Sequence, residues 1–277
     1  MLTDVDYHIH SEHSFDANVS LDQIIDIAHR NKQKRISITD HDNIDAYSNK
    51  AALSKAAALG IEVVTGTELN INTPELLQQF HLLIYNFDPD CEKFHHLLKV
   101  NKQTPISNAL AILKHLELTY GVEFCELDYL KIMKDPYSQA LINLCHEYPK
   151  IPIKQLGFYN TIHHLPVGNA LPIKDLFAML NITDGDAVVA HPGWLSMSIP
   201  SLKSFFSGLK DLGLVGIEAY HPDHNNEQMM LYEAIAKEYG LLTTKGSDFH
   251  TLDKEIIIGR GINNNIRNRK ITYVKKA

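Results

Sequence analysis

Near the start of the chain, short runs with the alternation of a strand are followed by longer stretches with the apolar spacing of a helix. Residues 3–9 alternate between apolar and polar positions, as a half-buried strand does. Ser20 and Gln23 have the spacing of a capping box, and the helical pattern that follows runs to about Asn31. This segment predicts a first strand–helix unit.

The same order of strand and helix returns through much of the chain. Further strands are predicted at residues 35–39, 61–65, 80–87, 186–190, 214–219 and 241–246, and helices at residues 46–59, 199–212 and 226–239. Strands that alternate with helices predict a parallel sheet with right-handed crossovers. Seven such strands favour an α/β fold whose sheet is a closed or nearly closed barrel.

Between the fourth and fifth strands the pattern is helical alone. Helical spacing is predicted over residues 91–103, 106–120, 126–134 and 137–147, before a stretch punctuated by prolines. We therefore predict a barrel made of residues 1–87 and 186–277, with residues 88–185 inserted as a mainly helical cap subdomain. A chain of 277 residues is long enough for one barrel with an insertion.

The composition is typical of a soluble globular protein. Apolar residues make up 44% of the chain and charged residues 21%, and no apolar run is long enough for a membrane span. The three cysteines, at positions 91, 125 and 145, lack paired spacing, which argues against a disulfide framework and favours a reducing cytoplasm. We expect no membrane partner.

The net charge of -7 argues against a stable nucleic-acid complex, which depends on Lys and Arg neutralising phosphates. Bound divalent ions weaken that argument because they dominate the local field of the site that holds them. The 16 histidines are the unusual feature of the composition, and many lie where predicted strands end.

Histidines and carboxylates recur at the ends of the predicted strands. His8 and His10 are two residues apart on the first strand, so both side chains point to one face. The other candidate ligands are Asp16, His41, Glu68, His81, His191, Asp248 and His250. Strand ends of an α/β barrel meet at one face, where such a cluster is costly without a cation. Imidazole and carboxylate ligands suit Zn, Mn or Fe, so we predict a metal site.

Five motifs, in this order, resemble the polymerase and histidinol phosphatase (PHP) superfamily of metal-dependent phosphoesterases. They are Asp-Tyr-His-Ile-His-Ser, Thr-Asp-His-Asp, Gly-Thr-Glu, Ala-His-Pro-Gly and Gly-Ser-Asp-Phe-His. The resemblance covers the predicted barrel. It implies a distorted (βα)7 barrel, similar to a TIM barrel, that holds two to three divalent metal ions.

The resemblance also implies which residues share a metal ion. The first set is His8, His10 and Asp248; the second is His81 and His191, bridged to the first by Glu68; the third is Asp16, His41 and His250.

Within the superfamily, the chain is most similar to nucleoside 3',5'-bisphosphate phosphatases and 5'-3' exonucleases. The similarity lies in Gly-Ile-Glu-Ala-Tyr-His-Pro-Asp-His at residues 216–224 and in the long insertion before His191. Those relatives are expected to hold phosphate with an arginine of the insertion, whereas residues 88–185 contain no arginine. Lysines, or the metals themselves, are expected to compensate.

These features predict an enzyme that hydrolyses a phosphomonoester of a nucleotide or similar small molecule, with a metal-bridged hydroxide as the nucleophile. Glu68 and Asp248 are the predicted catalytic carboxylates. His221 and His224 follow the sixth strand, and either of them can protonate the leaving group. Lys245, just before Gly-Ser-Asp, is either a phosphate contact or a lysine with a buried stem.

Three alternatives stay open. The same metal centre can attack a diester, as a 5'-3' exonuclease or phosphodiesterase acting on short oligonucleotides does. The spacing of Asp16 after His8 resembles the histidinol-phosphatase side of the superfamily, which implies a histidinol-phosphatase-like activity. A noncatalytic PHP module that binds a ligand is the third, although every ligand position carries a competent residue.

Overall fold

A computed structural model describes residues 4–71, 79–134, 136, 138–153, 171–252 and 258–259. It divides into two compact units. The first contains Met1–Ile71, Gln78–Leu98 and Lys174–Ala277, and the second contains Asn72–Leu77 and Lys99–Ile173.

Seven strands form one sheet in the order of the chain. They are β1 (Val5–Ile9), β2 (Arg35–Ile38), β3 (Glu62–Ile71), β4 (Phe80–Tyr85), β5 (Asp186–Val189), β6 (Gly216–Tyr220) and β7 (Leu242–Lys245). The segment after β7 returns to β1. The backbone N–H of His10 donates to the Phe249 carbonyl oxygen at 2.8 Å, and the backbone N–H of Asp248 donates to the His8 carbonyl oxygen at 2.9 Å. The sheet is therefore nearly closed, and the predicted α/β barrel is confirmed.

The expectation that all seven strands run parallel is wrong at β4. This strand pairs antiparallel with both β3 and β5, whereas the other neighbouring pairs are parallel. The link from β3 to β4 spans only residues 72–79, and a parallel crossover needs about a dozen residues or more. The reversal distorts the barrel and brings the start of β4 to the edge where neighbouring strands end.

Most of the described helices lie where they were predicted, but the one at Ile173–Asn181 was not predicted from the sequence. The helices are α1 (Leu21–Arg30), α2 (Lys50–Ala58), α3 (Glu92–Tyr120), α4 (Glu126–Lys134), α5 (Ser138–His146), α6 (Ile173–Asn181), α7 (Ile199–Leu212) and α8 (Asn226–Tyr239). Ser20 and Gln23 form the predicted capping box of α1. The predicted helix at 46–59 is divided at Asn49, whose side chain caps α2. The predicted break near residue 105 is wrong, because α3 continues through Pro105.

A buried cluster of side chains packs β1 against β4 and β5. Val5 and Tyr7 of β1 pack with Leu83 and Tyr85 of β4 and with Val188 of β5. The Tyr85 hydroxyl donates to the Tyr7 carbonyl oxygen at 2.8 Å, which satisfies this buried polar group. These contacts join β1 to two strands that are not its neighbours in the sheet.

The second unit has an apolar core of its own. Leu113 and Leu116 of α3, Ile132 of α4 and Leu144 of α5 belong to one buried cluster, with Phe124 between the helices. Much of this unit falls within the predicted insertion at 88–185. Cys91, Cys125 and Cys145 are free thiols. Among the helices that the structure describes, none has the length and apolar character needed to cross a bilayer.

Candidate metal centre

His8 lies at the carboxyl end of β1 and is fully buried. Its Nδ1 is 3.0 Å from Oε1 of Glu218, a buried residue of β6. An ionised carboxylate can only accept a hydrogen bond, so the proton of a neutral His8 ring is on Nδ1. The lone pair of Nε2 is then directed into the site, as in a histidine that ligates a metal.

His10 is oriented in the same way by a different partner. The Ser14 hydroxyl donates to Oδ1 of Asp16 at 2.8 Å, so Ser14 Oγ can accept from Nδ1 of His10, which is 3.2 Å away. The neutral His10 ring therefore also presents an unprotonated Nε2. The Nε2 atoms of His8 and His10 are 3.1 Å apart.

Two carboxylates complete this first cluster. Oε2 of Glu68 is 3.0 Å from Nε2 of His8 and 3.1 Å from Nε2 of His10. Oδ1 of Asp248 is 3.2 Å from both nitrogens. Burial lowers the pKa of His10, but hydrogen bonds to Asp248 and Glu68 outweigh it and raise the pKa to about 10. The two carboxylates therefore favour a positive charge between the two imidazoles, and these nitrogen and oxygen atoms fit a divalent cation.

The second oxygen of Glu68 faces another pair of histidines. Oε1 is 2.9 Å from Nδ1 of His81 and 2.8 Å from Nε2 of His191. His81 reaches this edge because β4 is antiparallel, which pairs His81 with Asn70 near the end of β3. Glu68 thus contacts a different group of ligands with each oxygen.

A third cluster surrounds the carboxylate of Asp16. Its Oδ2 is 3.0 Å from Nε2 of His250 and 3.4 Å from Nε2 of His41. Nδ1 of His250 donates to the backbone oxygen of Asp248 at 2.8 Å, which orients its Nε2 towards Asp16. The structure thus brings all nine predicted ligand residues together in three adjoining clusters.

Glu218 is a site residue that the sequence analysis did not identify. Its Oε2 accepts from the backbone N–H of His191 at 2.7 Å, while its Oε1 holds His8. A Cβ at position 246 would lie 2.1 Å from His8 Cβ and 2.5 Å from Glu218 Oε1, so glycine is required there. The sequence contained one sign of its role: Glu218 is a charged residue within the otherwise apolar predicted strand Gly-Ile-Glu-Ala-Tyr.

Unusual backbone conformations accompany the site. Asp42, His191 and Asp248 have positive φ angles of 46°, 24° and 52°. Side-chain-bearing residues rarely adopt such angles, which persist where surrounding contacts enforce them and are frequent at functional sites. In this protein two of the three residues are candidate ligands.

The two histidines after β6 have different environments. Nδ1 of His224 donates to the Ala219 carbonyl oxygen at 3.0 Å, and its Nε2 accepts from the Gly193 N–H at 3.1 Å. Burial lowers the pKa of His224 to about 4. His221 instead directs Nε2 towards Oδ2 of Asp248 at 3.4 Å, next to the first cluster. Of the two predicted proton donors, His221 is the one that borders the ligands.

Lys245 is directed away from the ligand clusters. Its Nζ donates to the Gly259 carbonyl oxygen at 3.2 Å. Burial lowers the pKa of Lys245, and the charges of Asp6 and Asp4 partly offset that effect. These contacts favour the buried structural lysine over the phosphate contact.

A model of the PHP domain matches residues 6–164, more than half of the chain. The chain belongs to the PHP domain family. It is a PHP phosphoesterase and therefore a hydrolase, as the five motifs predicted. The predicted dependence on metal is supported at the level of a candidate metal-binding cluster.

Curated relatives cover most of this PHP chain. It is 26% identical over 258 residues to a phosphoribosyl 1,2-cyclic phosphate 1,2-diphosphodiesterase of Eggerthella lenta, covering 88% of this chain and 93% of the relative. It is 23% identical over 259 residues to a 3',5'-nucleoside bisphosphate phosphatase of Chromobacterium violaceum, and the match covers 90% of this chain and 88% of the relative. A 5'-3' exoribonuclease of Haemophilus influenzae is 25% identical, and the match covers 88% of this chain and 89% of the relative.

A solved structure has the same fold. It is an amidohydrolase from Chromobacterium violaceum with bound sulfate and no metal, which superimposes with a TM-score of 0.72 at 21% identity and covers 92% of this chain and 89% of its own. The resemblance to phosphatases and exonucleases within the PHP superfamily is thus confirmed by the named relatives.

Proposed function

We propose that this PHP phosphoesterase hydrolyses a phosphomonoester of a nucleotide or a similarly small compound, at a centre of two to three divalent metal ions. The observation that carries the proposal is the position of Glu68. One of its oxygens faces His8 and His10 and the other faces His81 and His191, as a bridging carboxylate requires.

The metal assignment follows the three clusters. His8, His10, Glu68 and Asp248 have ligand atoms within 4.8 Å of one another, as do His10, Asp16, His41 and His250, and also His41, Glu68 and His81. His191 is assigned to the cluster of His81 because both contact Oε1 of Glu68. We expect Zn, Mn or Fe, in keeping with nitrogen and oxygen ligands, and two to three equivalents by elemental analysis.

When bound, the divalent ions supply Lewis-acid stabilisation of the phosphoryl oxygens and activate water for attack on phosphorus. The chain orients the ligands: Glu218 and Ser14 accept the Nδ1 protons of His8 and His10, so Nε2 of each neutral ring would be the atom that binds a cation. We assign proton donation to the leaving alkoxide to His221. Its Nδ1 accepts from the Asp223 N–H, which leaves the ring proton on Nε2 beside Asp248, whereas Nε2 of His224 accepts from the Gly193 N–H.

The choice of a small substrate rests on charge and on the relatives. A net charge of -7 disfavours long polyanions, and two of the relatives are named for a nucleoside bisphosphate and a cyclic phosphoribosyl compound. A diesterase activity is the second candidate, because the Eggerthella lenta relative is named as a diphosphodiesterase and the Haemophilus influenzae relative as an exoribonuclease. The free cysteines fit the cytoplasm, where we expect the enzyme to act.

The decisive experiment is a comparison of kcat/KM on one metal-replete preparation. The substrates are nucleoside monophosphates, nucleoside bisphosphates, histidinol phosphate, a cyclic phosphodiester and oligoribonucleotides, with a chelator-treated sample as the control. We expect a nucleotide monoester to be the best substrate and chelation to abolish phosphate release. A higher kcat/KM for oligonucleotides or for the cyclic diester would replace the monoesterase assignment with the diesterase, and a rate insensitive to chelation would exclude the metal mechanism.

A further inference from the structure

Trp194 is the single tryptophan of the chain and lies against the metal-ligand clusters. It ends the short helix Pro192–Trp194, which begins directly after His191. Its ring stacks on the His191 ring with centroids 4.0 Å apart and planes inclined by 29°. It also meets the His221 ring edge-on at 6.0 Å. Despite these contacts, 54% of the residue is exposed.

The Trp194 ring is held in place by its surroundings. Its indole Nε1–H donates to Oδ2 of Asp223 at 3.3 Å, and the backbone N–H of the preceding Gly193 donates to His224 at 3.1 Å. A Cβ at position 193 would lie 2.6 Å from the His224 ring, so glycine permits this close approach. The loop therefore presents a rigid aromatic surface.

We propose that Trp194 stacks on the base of a nucleotide substrate, an inference that rests on the proposed nucleotide phosphatase function. One face of the indole is covered by His191, so the exposed area belongs largely to the opposite face and the edge. Every nucleobase has a planar π-face that stacks favourably on an aromatic side chain.

The arrangement places the stacking surface at a useful separation from the reacting phosphate. His191 contacts Glu68 through Nε2 and is covered by Trp194 on one ring face, so a ligand with its phosphate at the clusters and its base on the outer face of Trp194 must reach past both rings. A nucleotide has this form, with its ribose between phosphate and base. The Asp223 carboxylate at the indole edge disfavours a second phosphate there, whereas a neutral base is accepted.

Fluorescence tests the stacking without relying on turnover, because the emission comes from Trp194 alone. The metal-loaded enzyme is titrated with adenosine, adenosine 5'-monophosphate and ribose 5-phosphate, with excitation at the red edge of tryptophan absorption. We expect quenching by the two ligands that carry a base and little change with ribose 5-phosphate. Equal responses to all three ligands, or no response to the base-containing pair, would overturn the proposal.

Kinetics of Trp194→Leu and Trp194→Phe provide the second test, with Ile182→Ala as a control at an exposed apolar residue before β5. We expect Trp194→Leu to raise KM for adenosine 5'-monophosphate about fivefold or more, Trp194→Phe to retain most of the affinity, and ribose 5-phosphate to be unaffected. An unchanged KM in Trp194→Leu would overturn the stacking and leave the phosphatase function intact. If no substrate were hydrolysed, the phosphatase function would fail, and the fluorescence titration would still decide the stacking.

Discussion

The carboxylate of Glu218 accepts the Nδ1 proton of His8 across 3.0 Å, and both side chains have 0% exposure. The same carboxylate binds the backbone N–H of His191 through its other oxygen. One buried glutamate therefore orients two candidate ligands that contact opposite oxygens of Glu68. Outer partners of this kind fix the tautomer of a ligand histidine and raise its basicity.

Glu218→Gln is predicted to weaken metal binding by about 10- to 100-fold, because the amide has a similar size but lacks the charge that supports His8. The measurement is the affinity for Mn or Zn in competition with a chromophoric chelator, alongside kcat. Glu227→Gln, at an exposed position in the first turn of α8, is the matched control and should bind metal as the unaltered chain does. Equal affinity in both variants would mean that Glu218 does not tune the centre.

Glu68→Gln is predicted to lower phosphoesterase activity by about 100-fold or more, corresponding to a loss of ~3 kcal/mol in transition-state stabilisation. The amide nitrogen cannot bind a cation, so only one side of the proposed bridge would survive. Circular dichroism should show an intact fold, since the barrel core does not need this charge, and elemental analysis should show fewer equivalents of metal. A near-native rate with full metal content would exclude Glu68 as the bridge.

The sequence was sufficient to predict the seven strands and to place the nine candidate ligands close together, because both depend on local pattern and on the rule that strand ends meet. That these residues bind metal stays a prediction. The sequence could not reveal the direction of β4. The apolar run at 80–87 is compatible with either direction, and only the short link from β3 decides it. This reversal explains how His81, at the start of a strand, comes close to candidate ligands that lie at strand ends.

The residues that support the candidate ligands were harder to predict than the candidate ligands themselves. Glu218 lies within a strand, and its importance depends on a contact with His8, 210 positions earlier in the chain. Likewise, the sequence offered no basis for choosing between His221 and His224. The difference lies in the backbone groups that occupy both nitrogens of His224, which local spacing does not encode.

Asp128 is predicted to stabilise the second unit through the start of α4. Its Oδ2 accepts from the Cys125 N–H at 2.9 Å and from the Tyr148 hydroxyl. Burial raises the pKa of Asp128, but these hydrogen bonds outweigh it and the net shift is downwards. Asp128→Ala should therefore lower the free energy of unfolding at neutral pH by about 1–2 kcal/mol, as loss of a helix cap does.

The sign of the pH dependence follows from that downward shift. A carboxylate with a lowered folded pKa contributes stability above its unfolded pKa and loses it as pH falls through the folded value. The difference between Asp128→Ala and the unaltered chain should thus shrink below about pH 4. Denaturant titrations at neutral and acidic pH measure it, with Glu126→Gln in the same helical turn as the control. A difference that stayed constant with pH would contradict an ionised Asp128.

The role of His221 can be separated from that of His224 by varying the leaving group. If His221 protonates the departing alkoxide, His221→Gln should slow hydrolysis of alkyl phosphates, such as nucleotides, by about 100-fold or more. An aryl phosphate with an acidic phenol needs little protonation, so its hydrolysis should be almost unaffected. His224→Gln should reduce both rates alike, because it disturbs the Gly193 contact and not proton transfer. Equal losses on both substrates in His221→Gln would show that His221 is a structural neighbour of Asp248 and not the acid.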